Sequence, residues 1–424
     1  MLNLLERALN DTIRHGDLTI VGPDGNSVRL GDGSGQPIVV RLQDRSILWH
    51  LLWRPQLALG EGYMQRRIVV EQGTVYDLLE VLLQNAERHM LPPFMNYADK
   101  FARMFKWVQQ HNPVPRATRN VAHHYDIDGA IYDLFLDPDR QYSCAYFRDT
   151  TDLAEAQLAK KQHIAAKLLI ERGHRVLDIG SGWGGLGLYL SRGFDAHVTG
   201  ITLSAEQLSV ARRRAQQEGL ADRTSFHLMD YRNLEGRFDR IVSVGMFEHV
   251  GVRFYDVYFR KIADLLHDDG LALVHSIGRF DTPTITNPFI AKYIFPGGYI
   301  PAMSEVLPAI ERSGLLVTDV EILRLHYADT LRAWRVRFLC RRDEAAERLG
   351  ETFCRMWEFY LAASETAFRY QNLMVFQIQL AKRQHVVPLT RDYIGDRESD
   401  IIRRDRTRAR GRDRQAPRRP DVAA

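Results

Sequence analysis

Between residues 176 and 278 the apolar residues come in short unbroken runs separated by polar, helix-like stretches. VLDIG (176–180), HVTGI (197–201), FDRIVSVGMF (238–247) and GLALVHSIG (270–278) have strand length and lack the alternation of a sheet with one wet face. Such runs suit strands covered on both sides, as in a parallel sheet. AEQLSVARRRAQQEG places apolar residues at helical spacing between two of them, so the pattern predicts an α/β domain with a doubly wound sheet. The first third of the chain differs. Leu18 to Val21, Ser27 to Leu30 and Ile38 to Leu42 are short β-like segments punctuated by glycines, and helical segments follow, ending in the strong helix period of VYDLLEVLL. LPPFMNYADKFARMFKWVQQHNPVPR then sets large apolar residues beside basic ones, and Pro113 with Pro115 marks a boundary. The expected organisation is a smaller α+β module over residues 1–122, an α/β domain over 123–395, and an arginine-rich tail over 396–424 without an apolar period, expected to be disordered.

Composition and charge narrow the picture. The 424 residues allow two or three domains, and no run approaches the roughly 20 apolar residues needed to span a bilayer. The start, MLNLLERALNDTIRHGD, carries acids and reads as an amphipathic helix rather than a signal peptide, so a cytoplasmic protein is expected. The net charge of +4 is uneven: from Arg397 onward ten arginines face five acids, which leaves the body near neutrality. That tail could attract an anionic membrane, although its acids weaken the effect. A nucleic-acid partner is not expected, because the tail lacks interleaved aromatics and the body is not basic. Cys144, Cys340 and Cys354 are scattered without a CxxC pair, so neither a disulfide framework nor a metal site is expected.

The richest chemistry follows the first long run. LDIGSGWGG puts Gly180, Gly182, Gly184 and Gly185 between a strand and a helix, a turn that lets a ligand approach the backbone and face a helix N-terminus. The spacing also satisfies the dinucleotide fingerprint GxGxxG. A nicotinamide site, however, wants an acid roughly 20 residues further on, where this chain has GITLS and Thr202. Asp178 stands before the glycines and Asp230 follows the third strand in HLMDYR. These are the positions at which class I methyltransferases contact the amino-acid portion and the adenine of S-adenosylmethionine, and the region resembles that superfamily.

A closer resemblance is carried by HHYDIDGAIYDLFLDPDRQYSCAYF, VLDIGSGWGGLGLYL, GITLSAEQ, DYRNLEGRFDRIVSVGMFEHVG, KYIFPGGYIP and HYADTLRAW. Together, over most of residues 50–385, they resemble the cyclopropane-fatty-acyl-phospholipid synthases, kin of the mycolic acid cyclopropane synthases. The resemblance implies a class I methyltransferase, Rossmann-like fold with a smaller α+β N-terminal domain that meets lipid. It implies that Tyr142, Ser143, Asp178, Gly180, Gly182, Gly184, Thr202, Leu203, Gln207, Asp230 and Tyr231 surround S-adenosylmethionine. It further implies that Cys144, Glu248, His275, Ile277 and Tyr327 hold a bicarbonate ion beside the reacting carbons of an unsaturated phospholipid.

The implied reaction makes sense of such a site. An alkene attacking a sulfonium methyl leaves a carbocation, which must lose a proton from the new methyl for a ring to close, so water must be excluded and a base held within reach. NPFIAKYIFPGGYIP is expected to shape the acyl pocket or its lid, with a core helix and turn as the plainer reading. Ser181 and Ser364 stand where family members carry cysteines, so no cysteine nucleophile is assigned at 364. Peripheral attachment to the inner face of the membrane is expected, and a homodimer is allowed. The runner-up is a methyltransferase of the same fold that stops at a methyl branch or modifies another small acceptor; an inactive lipid carrier is a third reading.

Overall fold

The computed structural model describes residues 2–10, 12–88 and 129–415. The proline boundary, the basic aromatic segment before it and the HHYDID stretch lie outside the described residues. The N-terminal module begins with helix α1 (Leu2–Asn10) and contains a four-stranded sheet of β1 (Asp17–Val21), β2 (Ser27–Leu30), β3 (Pro37–Leu42) and β4 (Ile68–Gln72) in the order β2-β1-β3-β4. Leu18, Ile20, Ile38, Val40 and Leu42 alternate inward to a small core shared with Ile47 and Leu48 of α2 (Arg45–Trp53). Asp44 caps α2 by accepting from the Ser46 and Ile47 amides, and the Arg67 guanidinium binds the same carboxylate, tying the helix to the start of β4. Pro55 opens α3 (Pro55–Met64), and α4 (Val75–Arg88) closes the module.

The second unit is a seven-stranded sheet in the order β10-β11-β9-β8-β5-β6-β7. Strands β5 (Arg175–Ile179), β6 (His197–Thr202), β7 (Thr224–Leu228), β8 (Phe238–Val244) and β9 (Leu266–Arg279) are parallel, as the continuous apolar runs predicted. Strands β10 (Leu316–Ile322) and β11 (Leu373–Ala381) add an antiparallel edge; β11 pairs along β9 and sets Gln377 opposite His275. Around the sheet stand α5 (Leu153–Lys167), α6 (Gly185–Phe194), α7 (Ala205–Gln217), α8 (Tyr255–Leu265), α9 (Met303–Ser313), α10 (His326–Cys340) and α11 (Glu351–Tyr370). The chain runs outward from β5 through β6 to β7 and then returns to β8, so the strand order reverses between β5 and β8. Ligands of open α/β sheets collect at that switch point.

The two units meet along α11, which packs against α3 and α4. The NPFIAKYIFPGGYIP segment forms a π-helical turn at Ile290–Ile294 and contributes to this junction. A side chain at Gly60 of α3 would collide with the buried Phe289 ring, while Glu61 accepts from Lys292 Nζ at 2.6 Å and from the Tyr293 hydroxyl at 2.7 Å.

The expected disorder of residues 396–424 is corrected by the structure as far as residue 415; residues 416–424 lie outside the described residues. Asp392–Gln415 is a helix, α12, packed on α5. Ile394 and Ile401, two turns apart, are buried, and the Arg404 guanidinium lies 4.1 Å from the Phe194 ring centroid. The acids that dilute the basic charge find partners: Asp405 accepts from Gln162 and Tyr189, and Glu398 is buried beside Arg148 and His163. Two buried isoleucines with these polar contacts dock the helix without a broad apolar stripe. No helix among the described residues is long and apolar enough to cross a membrane.

Candidate active site

At the carboxyl ends of β5, β6 and β8 lies a cavity whose wall includes Tyr142, Ser143, Asp178, Gly180, Gly182, Thr202, Leu203, Gln207, Asp230 and Tyr231. The structure thus brings together all the expected cofactor residues but one. Gly184 (φ 84°) sits behind the wall as the residue before α6, where a Cβ would press on Ala211 and Phe226. Gly180 (φ 81°) and Gly182 (φ 52°) hold left-handed backbone; a Cβ on Gly180 would strike Met246, whereas one on Gly182 would project into open space.

Two carboxylates in the wall differ. Asp178 is buried, its Oδ2 has no hydrogen-bond partner, and burial raises its pKa to about 7. Asp230 accepts from the Arg232 amide at 3.0 Å and binds its guanidinium, so its charge is balanced within the protein. Thr202 donates to Gln207 Oε1 at 2.9 Å, fixing the amide at the cavity edge. The wall also holds Gln141, Trp183, Arg232, Met246 and His249, which the sequence motifs did not single out. Two of them carried a signal in the sequence: an indole among four glycines, and a histidine next to Glu248.

The cavity fits an adenosyl amino acid. Asp178 presents an unpaired, buried acceptor to an ammonium group, the glycine turn leaves room beside backbone, and Asp230 with Gln207 offers polar atoms further along the wall.

The second constellation lies next to the first. Glu248 sits in a short turn (Phe247–His249) after β8, and its Oε1 accepts from the Ile277 amide of β9 at 2.7 Å. Its Oε2 lacks a hydrogen-bond partner; the nearby Ser276 hydroxyl donates to the Ile277 carbonyl instead. Burial raises the carboxyl to about 7, moderated by the Ile277 amide. His275 precedes Ile277 by two residues on the same strand, its Nδ1 is 3.1 Å from Gln377 Nε2, and burial, helped by Lys160, depresses it to about 3. The ring is therefore neutral near pH 7, and with Nδ1 accepting from the Gln377 amide its proton resides on Nε2. Cys144 and Tyr327 are buried in one apolar cluster, against which Ile277 packs. The Cys144 thiol donates weakly to the Ala145 carbonyl at 3.3 Å, and burial raises its pKa far above the usual thiol range, so it is no thiolate nucleophile.

Aromatic rings connect the two sets. Tyr142 stacks on Trp334 with centroids 5.0 Å apart and shares a hydrogen bond with Tyr360 at 2.9 Å. Tyr132 lies between Tyr142 and Trp183, and Tyr327 packs edge-on to Trp334 and Phe368.

The parallel-centred sheet, the glycine turn at its switch point and the orphan carboxylate define a class I methyltransferase dependent on S-adenosylmethionine. Comparison with known proteins identifies the family. The model of the mycolic acid cyclopropane synthetase family matches residues 113–378, and residues 4–92 match a domain of unknown function. The cyclopropane-fatty-acyl-phospholipid synthase of Escherichia coli strain K12 is 37% identical over 372 residues, covering 85% of this chain and 94% of the relative. A probable fatty acid methyltransferase of Pseudomonas putida is 41% identical over 388 residues, covering 87% and 94%. Among solved structures, mycolic acid cyclopropane synthase CmaA1 complexed with SAH and CTAB superposes with a TM-score of 0.59 at 32% identity, covering 62% of this chain and 97% of that one. The chain belongs to the mycolic acid cyclopropane synthetase family.

Proposed function

We propose that the enzyme transfers a methylene group to the cis double bond of unsaturated acyl chains in membrane phospholipids, closing a cyclopropane ring with bound bicarbonate as the base. One observation carries the reading: Glu248, a buried carboxyl with one free oxygen, adjoins a neutral histidine strand and an aromatic cluster continuous with the cofactor cavity. When bound, S-adenosylmethionine supplies an electrophilic methyl group. Asp178 receives its ammonium, the Gly180–Gly182 turn gives room to its chain, and Thr202, Gln207, Asp230 and Tyr231 border its nucleoside. The faces of Tyr142, Trp334 and Tyr327 stabilise positive charge on the acyl chain, by about 1 kcal/mol or more each in a dry site. Glu248, the Ile277 backbone, His275 Nε2–H and the Tyr327 hydroxyl orient the base, and Cys144 fills space beside it. Burial of this set keeps water from the cation. In carbonate-depleted buffer, turnover on unsaturated phospholipid vesicles should fall, and added bicarbonate should restore it for the native enzyme and not for Glu248→Gln. Full turnover without bicarbonate contradicts the assignment of the base.

The substrate lies in a bilayer, and the N-terminal module is the proposed contact with the cytoplasmic membrane face. Trp49 and Trp53, one turn apart on α2, are 50% and 76% exposed, and Arg45 and Arg54 flank them. Indole rings with adjacent arginines suit the headgroup layer of an anionic membrane. A second reading, transfer that ends in a methyl branch, is favoured by the similarity to the Pseudomonas putida relative. Product analysis separates the two.

A further inference from the structure

Helix α5 carries three buried lysines, and one of them is unlike the others. Lys161 binds Asp139, and Lys167 binds Asp319 and Glu321. Lys160, with no exposed surface, donates to neutral oxygens: Gln141 Oε1 and Ser143 Oγ, each at 2.8 Å. An ammonium buried against neutral acceptors is costly, and burial lowers its pKa to about 8. Both acceptors line the cofactor cavity, as does Asp178, and the Lys160 charge opposes the burial that raises the orphan Asp178 carboxyl. The amino-acid end of the cofactor is a zwitterion. A wall with a carboxylate on one side and lysine-backed hydroxyl and amide groups on the other is complementary to it.

We propose that Lys160 is a positioning residue for the amino-acid end of S-adenosylmethionine, locking Gln141 and Ser143 into the cavity wall and holding Asp178 as a carboxylate that can receive the ammonium. The proposal rests on Asp178 being the ammonium site. Its test compares two ligands by calorimetry: S-adenosylhomocysteine, which has the amino-acid end, and methylthioadenosine, which lacks it. Lys160→Met should weaken the first by about tenfold or more and leave the second nearly unchanged, since removing a charged donor costs more than a neutral one. Asp178→Asn should lower the same affinity ratio, and the double variant should lose less than the two losses combined. Equal weakening of both ligands by Lys160→Met, or of neither, overturns the proposal while leaving the Asp178 site intact; an unchanged ratio in Asp178→Asn overturns the site itself. Where Lys160→Met gives no cooperative melt, Lys160→Gln, which keeps a donor without the charge, carries the same comparison. Failure of both variants to fold makes the lysine a scaffold and overturns the proposal.

Discussion

Replacing Glu248 with Gln should lower activity and raise stability together, with a pH dependence that follows from burial. The carboxyl titrates near 7 in the folded protein against an ordinary value of 4.5. A folded-state pKa raised in a carboxylic acid means that the native state holds its proton longer than the unfolded chain. Its contribution to stability is therefore most favourable below about pH 4.5 and is lost as pH rises toward 7. At pH 8 the ionised form costs the fold about 3 kcal/mol, because each tenfold change in proton affinity between the folded and unfolded chain is worth about 1.4 kcal/mol. Glutamine keeps the acceptor for the Ile277 amide and cannot ionise, but its new amide protons need partners in a buried place, which takes back about 1 kcal/mol. The net gain is about 2 kcal/mol, read as a melting temperature a few degrees higher at pH 8 for ligand-free protein, with the difference closing at pH 5. Turnover on unsaturated phospholipid vesicles should drop about 100-fold, the scale of a lost proton-transfer aid. A variant that melts below the native enzyme at pH 8, or with the same offset at both pH values, refutes the reasoning.

Gly182→Val should abolish calorimetric binding of S-adenosylhomocysteine while the far-UV spectrum stays native, because the position has φ 52° and faces the cavity. The pair Trp49→Ser and Trp53→Ser should reduce co-sedimentation with anionic vesicles and leave turnover on detergent-dispersed substrate intact; equal sedimentation removes α2 from the membrane contact. Deleting residues 392–424 should lower the melting temperature, since burying Ile394 and Ile401 against the body contributes about 1.5 to 3 kcal/mol each; an unchanged melt shows α12 to be dispensable.

What could be read from the sequence was local. The runs at 176–180 and 238–247 needed only their own apolar residues to declare buried parallel strands, and the glycine turn between β5 and α6 needed only its spacing. Pairing across the chain was not local. The antiparallel place of β11, which puts Gln377 against His275, depends on about one hundred intervening residues. Nothing local in the sequence sets Lys160 apart from Lys161; the fold turns it inward to Gln141 and Ser143. The tail misled for a related reason. Ile394, Ile401 and Ile402 stand among arginines, too sparse for an apolar stripe, and Asp405, one of the acids that counted against a role, is a group that anchors α12.

In the proposed reaction a methyl group arrives at an alkene and then loses one proton to a base held by Glu248. The direct measurement uses S-adenosylmethionine with a fully deuterated methyl group, vesicles of unsaturated phospholipid and mass spectrometry of the acyl chains. The proposed reaction leaves a ring carbon that retains two of the three deuterons. A product that keeps all three, as when the cation loses a proton from the chain instead and leaves a methyl-substituted alkene, contradicts it.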